Sequence, residues 1–361
     1  MNPKLLLSVL LLAALSAIML FPRFPAQAGE VPAKSAYRVL DPIRHGSLTV
    51  FPVVASTSHD TRDFLTLDEG IRSGEVVVAE YGNVQPLIRR RGTPISRGGA
   101  QVNQLVLVNN SKRPLLLLAG EIVTGGKQDR VIGKDRLVPA ESDPIDLSVF
   151  CVEPGRWTGP SATFGSMGSA MAQPAVRAKA MGAKDQSQVW DEVRKQQSAM
   201  VARVPAPAAP VIAGTTSYAR VMDNSEVKQQ VDAVAAPMEH DYRSLIQQLR
   251  DRNAVGVVVA VNGEIIWADV FASTNLLEKY WPKLVRSYAA EAIVAQTKSA
   301  GVDVKSAQQF LDNMDGRRET VENEPGLYRH TEITGDSFKA FELTSLLPKT
   351  GFDLHVAKMA E

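Results

Sequence analysis

VVVAVNGEIIWADVF, residues 257–271, is the stretch that decides the fold class. Its two arms, residues 257–261 and 264–271, are rich in β-branched and aromatic residues, and Asn262-Gly263 separates them. Asn-Gly suits both central positions of a type I′ turn, where two residues adopt the left-handed conformation. We therefore predict a β-hairpin here. A helix is predicted after it, because apolar residues recur at helical spacing over residues 281–292.

Strand patterns dominate the chain up to residue 152. Apolar or alternating runs predict strands at residues 48–54, 76–80, 102–108, 115–118 and 145–152. Thr66 and Glu69 form a capping-box pattern, which predicts a short helix between the first two strands. The sequence therefore predicts an α+β fold, in which a β-sandwich or barrel-like N-terminal half packs with a helix-and-hairpin C-terminal half.

Residues 158–212 differ from both halves in composition. Gly, Ser, Met and Pro recur throughout, and one helical pattern at residues 186–202 interrupts them. Such low-complexity flanks are typical of loops and linkers. We therefore expect a mobile insertion at residues 158–212 within a single α+β domain spanning residues 36–361.

Residues 1–28 have the pattern of a secretory signal peptide. Lys4 precedes an apolar run over residues 5–21, prolines follow, and residues 26–28 form an A-x-A cleavage site. The apolar run approaches the roughly 20 residues of a spanning helix, so an uncleaved N-terminal anchor is the alternative. We expect an exported protein, periplasmic or secreted, with no membrane span after cleavage.

Composition excludes several classes of function. The 40 Lys and Arg nearly balance the 39 Asp and Glu, so we expect no nucleic-acid partner. Cys151 is the only cysteine, which rules out an internal disulfide. None of the five histidines stands in a close pair, so the sequence predicts no metal site. It indicates no cofactor and no particular protein partner.

A polar motif follows the buried run at residues 115–118. Glu121 comes first, and residues 125–130 read Gly-Gly-Lys-Gln-Asp-Arg. Paired glycines let a backbone turn tightly and approach a ligand, while Lys127, Gln128 and Arg130 supply groups that grip a phosphate or carboxylate. The same composition also occurs in solvated β-turns, so both interpretations stay open.

A second polar motif ends the strand at residues 145–152. Side chains alternate along a strand, so Cys151 and Glu153 lie on the same inward face as the three aliphatic residues that precede them. Cys151 is then a buried core residue or, if a base activates it, a nucleophile. Glu153 requires a partner because a bare buried carboxylate is costly. Arg156 and Trp157 follow directly, so Glu153 belongs to a structural ion pair or to the edge of a site.

Three stretches together resemble a known family. Residues 117–121 (LLAGE), 126–130 (GKQDR) and 148–157 (SVFCVEPGRW) resemble the signature of the ARG and rhodanese-phosphatase-superfamily-associated protein domain. The hairpin at residues 257–271 and the helix at residues 281–292 resemble its later part. The family's name records association with ADP-ribosylglycohydrolases and rhodanese-like phosphatases. The resemblance therefore implies a role near ADP-ribose or nucleotide-derived ligands.

Three functions remain open from the sequence. The first is a module that binds a small polar or anionic ligand through Glu121, Gly126, Lys127, Gln128, Arg130, Arg156 and Trp157. The second is a hydrolase in which Glu153 or Glu121 is a general base or Cys151 is the nucleophile. The third is a structural or interaction protein of the cell envelope. We expect the binding module; in the hydrolase alternative, Glu153 and Cys151 are the candidate catalytic residues.

Overall fold

The computed structural model describes residues 36–80, 101–159, 161–168, 170–249, 253–295 and 301–361. The predicted signal peptide, residues 1–28, lies outside these ranges. Residues 36–361 group into one compact unit. Among the described helices, none combines the length and apolar character needed to cross a bilayer.

The described strands lie within residues 37–166 and 253–360. In chain order they are β1 Tyr37–Val39, β2 Ile43–His45, β3 Leu48–Ala55, β4 Leu65–Thr66, β5 Val76–Glu80, β6 Gln104–Asn109, β7 Leu115–Leu117, β8 Ile122–Gly125, β9 Arg130–Ile132, β10 Arg136–Val138, β11 Ile145–Cys151, β12 Phe164–Ser166, β13 Asn253–Val261, β14 Glu264–Phe271, β15 Arg317–Glu324, β16 Tyr328–Thr334, β17 Phe338–Ser345 and β18 Asp353–Ala360.

Helices concentrate between residues 174 and 312. They are α1 Leu67–Ser73, α2 Pro174–Ala178 with a π-helical turn Lys179–Ala183, α3 Gln186–Val201, α4 Ala209–Ala213, α5 Tyr218–Asp223, α6 Ser225–Gln248, α7 Thr274–Val294 and α8 Val304–Asp312. Thr66 caps α1 together with Glu69, as the sequence pattern predicts. The α+β fold class is therefore confirmed.

The largest sheet is antiparallel and carries the C-terminal half. Its order among the described strands is β1-β3-β13-β14-β18-β17-β16-β15, with β2 beside β3. In the hairpin β13–β14, Val261 lies opposite Glu264, and Asn262 and Gly263 adopt φ angles of 50° and 82°. Both angles lie in the left-handed region that a type I′ turn requires, so the predicted hairpin is confirmed.

Helices cover both faces of this sheet. On one face, α6 and α7 pack against Val257 and Val259, and the rings of Tyr242 and Trp281 lie 4.5 Å apart between the helices. On the other face, α8 packs against residues such as Val258. Because side chains alternate along a strand, both faces of β13 are buried beneath these helices, and this explains its apolar run at residues 257–261.

Strands of the N-terminal half form a near-closed barrel. The order is β12-β8-β9-β11-β6-β5, and a bridge between Ala79 and Thr163 brings β5 back beside β12. We call this junction the barrel seam. A smaller sheet, β10-β7-β4, packs against the barrel and shares its core through Leu115, Leu117 and Val138.

Strand β3, like β1 and β2, lies outside the barrel. Strand β3 pairs with β13, about 200 residues later in the chain, and therefore lies within the C-terminal sheet. The N-terminal half is sheet-rich as predicted, but the sequence did not indicate that this strand pairs within the C-terminal sheet. Its residues are all buried, so their apolar pattern fits either sheet equally well.

The predicted mobile insertion is largely folded. Strand β12, helices α2 and α3, the π-helical turn and most of α4 lie within residues 161–168 and 170–212. Met171, Val176, Met181, Val189 and Met200 are buried in the main core. The helix predicted at residues 186–202 is present as α3, whereas the prediction of loops was wrong for the flanking residues Met171, Val176 and Met181. Small residues and Met fill irregular gaps between packed helices, so this composition also suits a core.

A buried ionic cluster joins the barrel to the large sheet. Asp269 on β14 binds Arg177 of α2 through two hydrogen bonds of 2.9 and 3.0 Å. His355 on β18 contacts Asp269 at 3.1 Å and Asp135, between β9 and β10, at 2.5 Å. The hydroxyl of Tyr288 donates to Asp269. Since all these side chains are fully buried, the cluster fixes how the barrel meets the sheet.

Candidate functional site

A cleft of about 700 Å³ lies beside β12, one of the two strands of the barrel seam, and α5 borders it. We call it the seam cleft. Its walls come from the turns after β8 and β11, from β12 and from α5. The polar residues that line it are Thr124, Asp129, Glu153, Arg156, Thr158, Ser166, Arg220 and Asp223. Volumes of this order are usual for small-molecule sites.

The Gly-Gly turn shapes one wall of the cleft. Gly125 and Gly126 adopt φ angles of 119° and 48°, which side chains disfavour. A Cβ atom on Gly126 would meet the ring of Phe164 at 2.1 Å. The backbone N–H of Lys127 donates to Glu80 Oε1 over 2.7 Å, which ties the turn to β5 across the seam. Glycine is therefore required at residue 126 for both conformation and space.

Arg156 joins the two polar motifs. Its Nη1 donates to the carbonyls of Gly126 and Thr158, each at 2.9 Å, and its Nη2 donates to the carbonyl of Gly125 at 3.3 Å. The same Nη2 lies 2.5 Å from Glu153 Oε2 and 3.5 Å from Asp129 Oδ1. The ion pair of Glu153 and Arg156 predicted as the structural alternative is present, and it also lines the cleft.

Asp129 and Glu153 form a pair of carboxylates at the cleft. Each places one carboxylate oxygen near Nη2 of Arg156, Asp129 at 3.5 Å and Glu153 at 2.5 Å. These two oxygens are therefore at most about 6 Å apart. The backbone N–H of Asp129 donates to Glu153 Oε2 at 3.0 Å, and the Ser217 hydroxyl donates to Asp129 Oδ2 at 2.8 Å. A hydrogen-bonded frame therefore holds both groups in place.

Their environments move the two pKa values in opposite directions. Burial raises the pKa of Asp129 and the nearby Glu153 charge adds to this increase, against hydrogen bonds from Gly125 and Ser217. Burial also acts to raise the pKa of Glu153, but hydrogen bonds from Arg156 and the Asp129 N–H outweigh it and hold that pKa below its ordinary value. Compared with an ordinary carboxyl group of its type, Asp129 is therefore easier to protonate and Glu153 is harder to protonate.

Arg220 supplies a second guanidinium to the cleft. It lies on α5, is exposed, and forms no ion pair with any described carboxylate within 4.0 Å. Its charge is near enough to help lower the pKa of Glu153. Arg156 is occupied by protein oxygens, whereas Arg220 is accessible to an anionic group of a ligand.

Three predicted site residues lie in the same loops without lining the cleft. Lys127 places its ammonium 5.1 Å from the ring centre of Trp157, which is 42% exposed. Gln128 is buried and donates through Nε2 to the carbonyl of Glu153 at 3.1 Å. Lys127 and Trp157 form an exposed cation–π pair, and Gln128 braces the turn that carries Glu153.

Arg130 and Cys151 lie in the interior on adjacent strands. Arg130 is fully buried and donates through Nε to the carbonyl of Val102 at 2.8 Å. Burial raises the pKa of the Cys151 thiol, and the side chain is fully buried. A thiol nucleophile requires a lowered pKa and access, so this environment favours the core interpretation of Cys151.

Glu121 lies away from the cleft. Its carboxylate accepts a 2.7 Å hydrogen bond from Lys283 Nζ and a 2.8 Å bond from the Leu118 N–H, and Lys283 also pairs with Asp68. Burial raises the pKa of Glu121, while the Lys283 charge opposes this increase. This side chain braces the corner between β7 and β8 and is not exposed to a ligand.

The structure therefore brings together part of the predicted set. Glu153, Arg156 and the Gly-Gly turn meet at the cleft, and Asp129 joins them as the motif residue that the sequence argument did not select. Sequence reasoning also missed Ser217 and Arg220. Ser217 has a recognisable signal as the N-cap of α5, since its Oγ accepts from the Arg220 N–H at 3.1 Å. No local pattern indicates that this helix lies against a motif 88 residues earlier.

The fold and the cleft together define an α+β protein with a polar, small-molecule-sized site at the seam of a near-closed barrel. Residues 36–357 match the family model of the ARG and Rhodanese-Phosphatase-superfamily-associated Protein domain. The chain belongs to this family, which confirms the resemblance in the sequence. No curated protein and no solved structure matches the chain.

Proposed function

We propose that this protein binds a small polar or anionic ligand in the seam cleft. The observation that carries the proposal is the convergence of two separate sequence motifs and α5 on one cleft of about 700 Å³. Arg156 links the motifs through its contacts with Glu153 and Gly126. Arg220 adds an accessible positive charge.

The lining groups suggest how a ligand is recognised. Arg220 suits a phosphate or carboxylate oxygen, because a guanidinium donates charge-assisted hydrogen bonds. Asp129 and Glu153 suit hydroxyl groups, since carboxylates accept hydrogen bonds from them. A sugar phosphate combines both features. ADP-ribose and related nucleotides fit this chemistry, and the family's association supports them as the first ligands to test.

Hydrolysis is the second candidate, and the carboxylate pair favours it. Two carboxyl groups whose environments shift their pKa values apart are a usual arrangement for a general acid and a general base. Here Asp129 would be the acid and Glu153 the base. The positions of Glu121 and Cys151 give no support to the corresponding hydrolytic roles.

A thermal-shift screen of residues 29–361 tests the binding proposal. The panel contains ADP-ribose, nucleotides, sugar phosphates and uncharged sugars. A ligand at about 100 times its dissociation constant stabilises the native state by about 2.7 kcal/mol. We expect a phosphorylated compound to stabilise the wild type. Absence of stabilisation by every compound would contradict the proposal and favour a structural role for the motifs.

Product analysis of the same mixtures separates binding from hydrolysis. For a hydrolase we expect products with the wild type and at least a roughly hundredfold slower rate in Asp129→Asn, because general acid–base groups contribute about 10² to 10⁴ in rate. A stabilising ligand that stays intact with the wild type would contradict hydrolysis of that ligand and leave binding supported.

We also propose that the protein is exported, from the pattern of residues 1–28. Intact mass spectrometry of protein from the cell envelope or medium tests this. A mass that begins at Gly29 agrees with cleavage, whereas a full-length chain held in the membrane indicates the anchor instead.

A further inference from the structure

A second pocket lies between the barrel and the large sheet, on a different part of the protein from the seam cleft. Its volume is about 240 Å³, and the two pockets share no lining residue. Phe150 of β11, Met181 of the π-helical turn and Phe341 of β17 form apolar walls. We call it the His330 pocket, after the polar side chain on β16 that also lines it.

His330 is the unusual feature of this pocket. It is only 1% exposed, and neither ring nitrogen has a hydrogen-bond partner among the described residues. Its ring centre lies 6.2 Å from that of Phe341, which carries no polar group. A buried polar group without a partner costs roughly 1–3 kcal/mol, so buried polar groups are normally satisfied. The ring therefore suits a ligand that supplies the missing hydrogen bond.

Charges around the pocket are already balanced. Lys134 pairs with Glu322, and Lys184 pairs with Glu332, so neither ammonium is free to hold an anion. Burial lowers the pKa of His330, although Asp135 opposes this shift, so the ring favours its neutral form. A neutral imidazole offers one donor and one acceptor, which are the complements of a hydroxyl group.

We propose that the His330 pocket binds a small neutral molecule with an apolar, ring-sized body and a hydroxyl group. The body packs against Phe150, Met181 and Phe341, and the hydroxyl hydrogen-bonds to a ring nitrogen of His330. This arrangement follows the usual design of small-molecule sites, which have apolar walls and few polar groups that fix orientation. The site is independent of the seam cleft and of its proposed ligand.

Binding of p-cresol and toluene tests the proposal, because these probes share an aromatic body and differ in the hydroxyl group. We expect p-cresol to bind saturably in calorimetry and to shift the ring nitrogen signals of His330 in ¹⁵N NMR. Toluene should bind at least about tenfold more weakly, since a site built to hydrogen-bond a hydroxyl discriminates against its absence. Equal binding of the two probes would overturn the role of His330.

Variants locate the binding. Val321 lines the pocket and is 39% exposed, so Val321→Trp adds bulk beside the pocket with little risk to folding. We expect it to weaken p-cresol binding at least about tenfold, whereas Arg220→Ala at the other cleft leaves it unchanged. His330→Leu should bind p-cresol and toluene with equal affinity. No saturable p-cresol binding, or binding unaffected by Val321→Trp, would overturn the proposal.

Discussion

Replacing Asp269 with Asn tests how the two halves of the protein are joined. The substitution keeps the shape of the side chain but removes its charge. Asp269 accepts hydrogen bonds from Arg177, Tyr288 and His355, and all these groups are fully buried. In Asp269→Asn, Arg177 remains buried with an unpaired charge, and His355 keeps only Asp135 as a charged partner.

The expected effect is large because the cluster has no access to water. Removing one partner of a buried ion pair typically costs about 3–5 kcal/mol. This corresponds to a decrease in Tm of roughly 5–10 °C for a domain of this size. Thermal and urea unfolding of the wild type and of Asp269→Asn measure it directly.

A surface ion pair supplies the control. Asp191 pairs with Arg194 on α3, and both side chains are more than half exposed. Asp191→Asn should change the free energy of unfolding by no more than about 0.5 kcal/mol. If Asp269→Asn were as stable as this control, the ionic cluster would not hold the barrel to the sheet and our account of the fold would be refuted.

Three further predictions concern single residues. Burial acts to lower the pKa of His355, but its aspartate partners raise it from the ordinary 6.5 to about 9. Protonation of His355 therefore contributes about 3 kcal/mol to the free energy of unfolding. This contribution is complete below pH 6.5 and is lost as the pH rises through 9. Urea unfolding at pH 6 to 10 should show this decline, and a flat profile would refute it. Gly126→Ala should destabilise the protein by about 2–4 kcal/mol, because the new methyl group would overlap the Phe164 ring and the backbone conformation would also be strained. Gly46→Ala, which has a similar φ angle of 59° and nothing within 4 Å, should cost only about 1 kcal/mol in the same denaturation assay. Cys151 should react with a thiol reagent only as fast as the protein unfolds, and rapid labelling of the native protein would contradict its burial.

Much of the fold could be predicted because local patterns determine it. The Asn262-Gly263 turn specifies its hairpin through two left-handed residues, and Thr66 with Glu69 specifies the start of α1. Partner choice between distant strands could not be predicted. Strand β3 is apolar on both faces, so its sequence gives no preference between the barrel and the sheet.

The candidate site likewise contains one part that local sequence predicts and one part that depends on the complete fold. Glu153 and Arg156 stand three residues apart, so their ion pair could be predicted as one of two alternatives. Arg220 reaches the cleft only because α5 packs against the turn at Asp129 and the end of β11, which depends on the complete fold. Composition misled at residues 158–212, because small residues and Met are common both in loops and in cores built from short helices.

The most direct test of the central claim is calorimetric titration of the best stabilising ligand into Arg220→Ala. Arg220 is exposed, so its removal should leave the fold intact. We predict that Arg220→Ala binds the ligand at least about tenfold more weakly than the wild type, since loss of a charge-assisted hydrogen bond costs about 1.5–3 kcal/mol. Arg194→Ala, which removes an exposed arginine that does not line the cleft, should bind like the wild type. Wild-type affinity in Arg220→Ala would contradict the assignment of the seam cleft as the binding site.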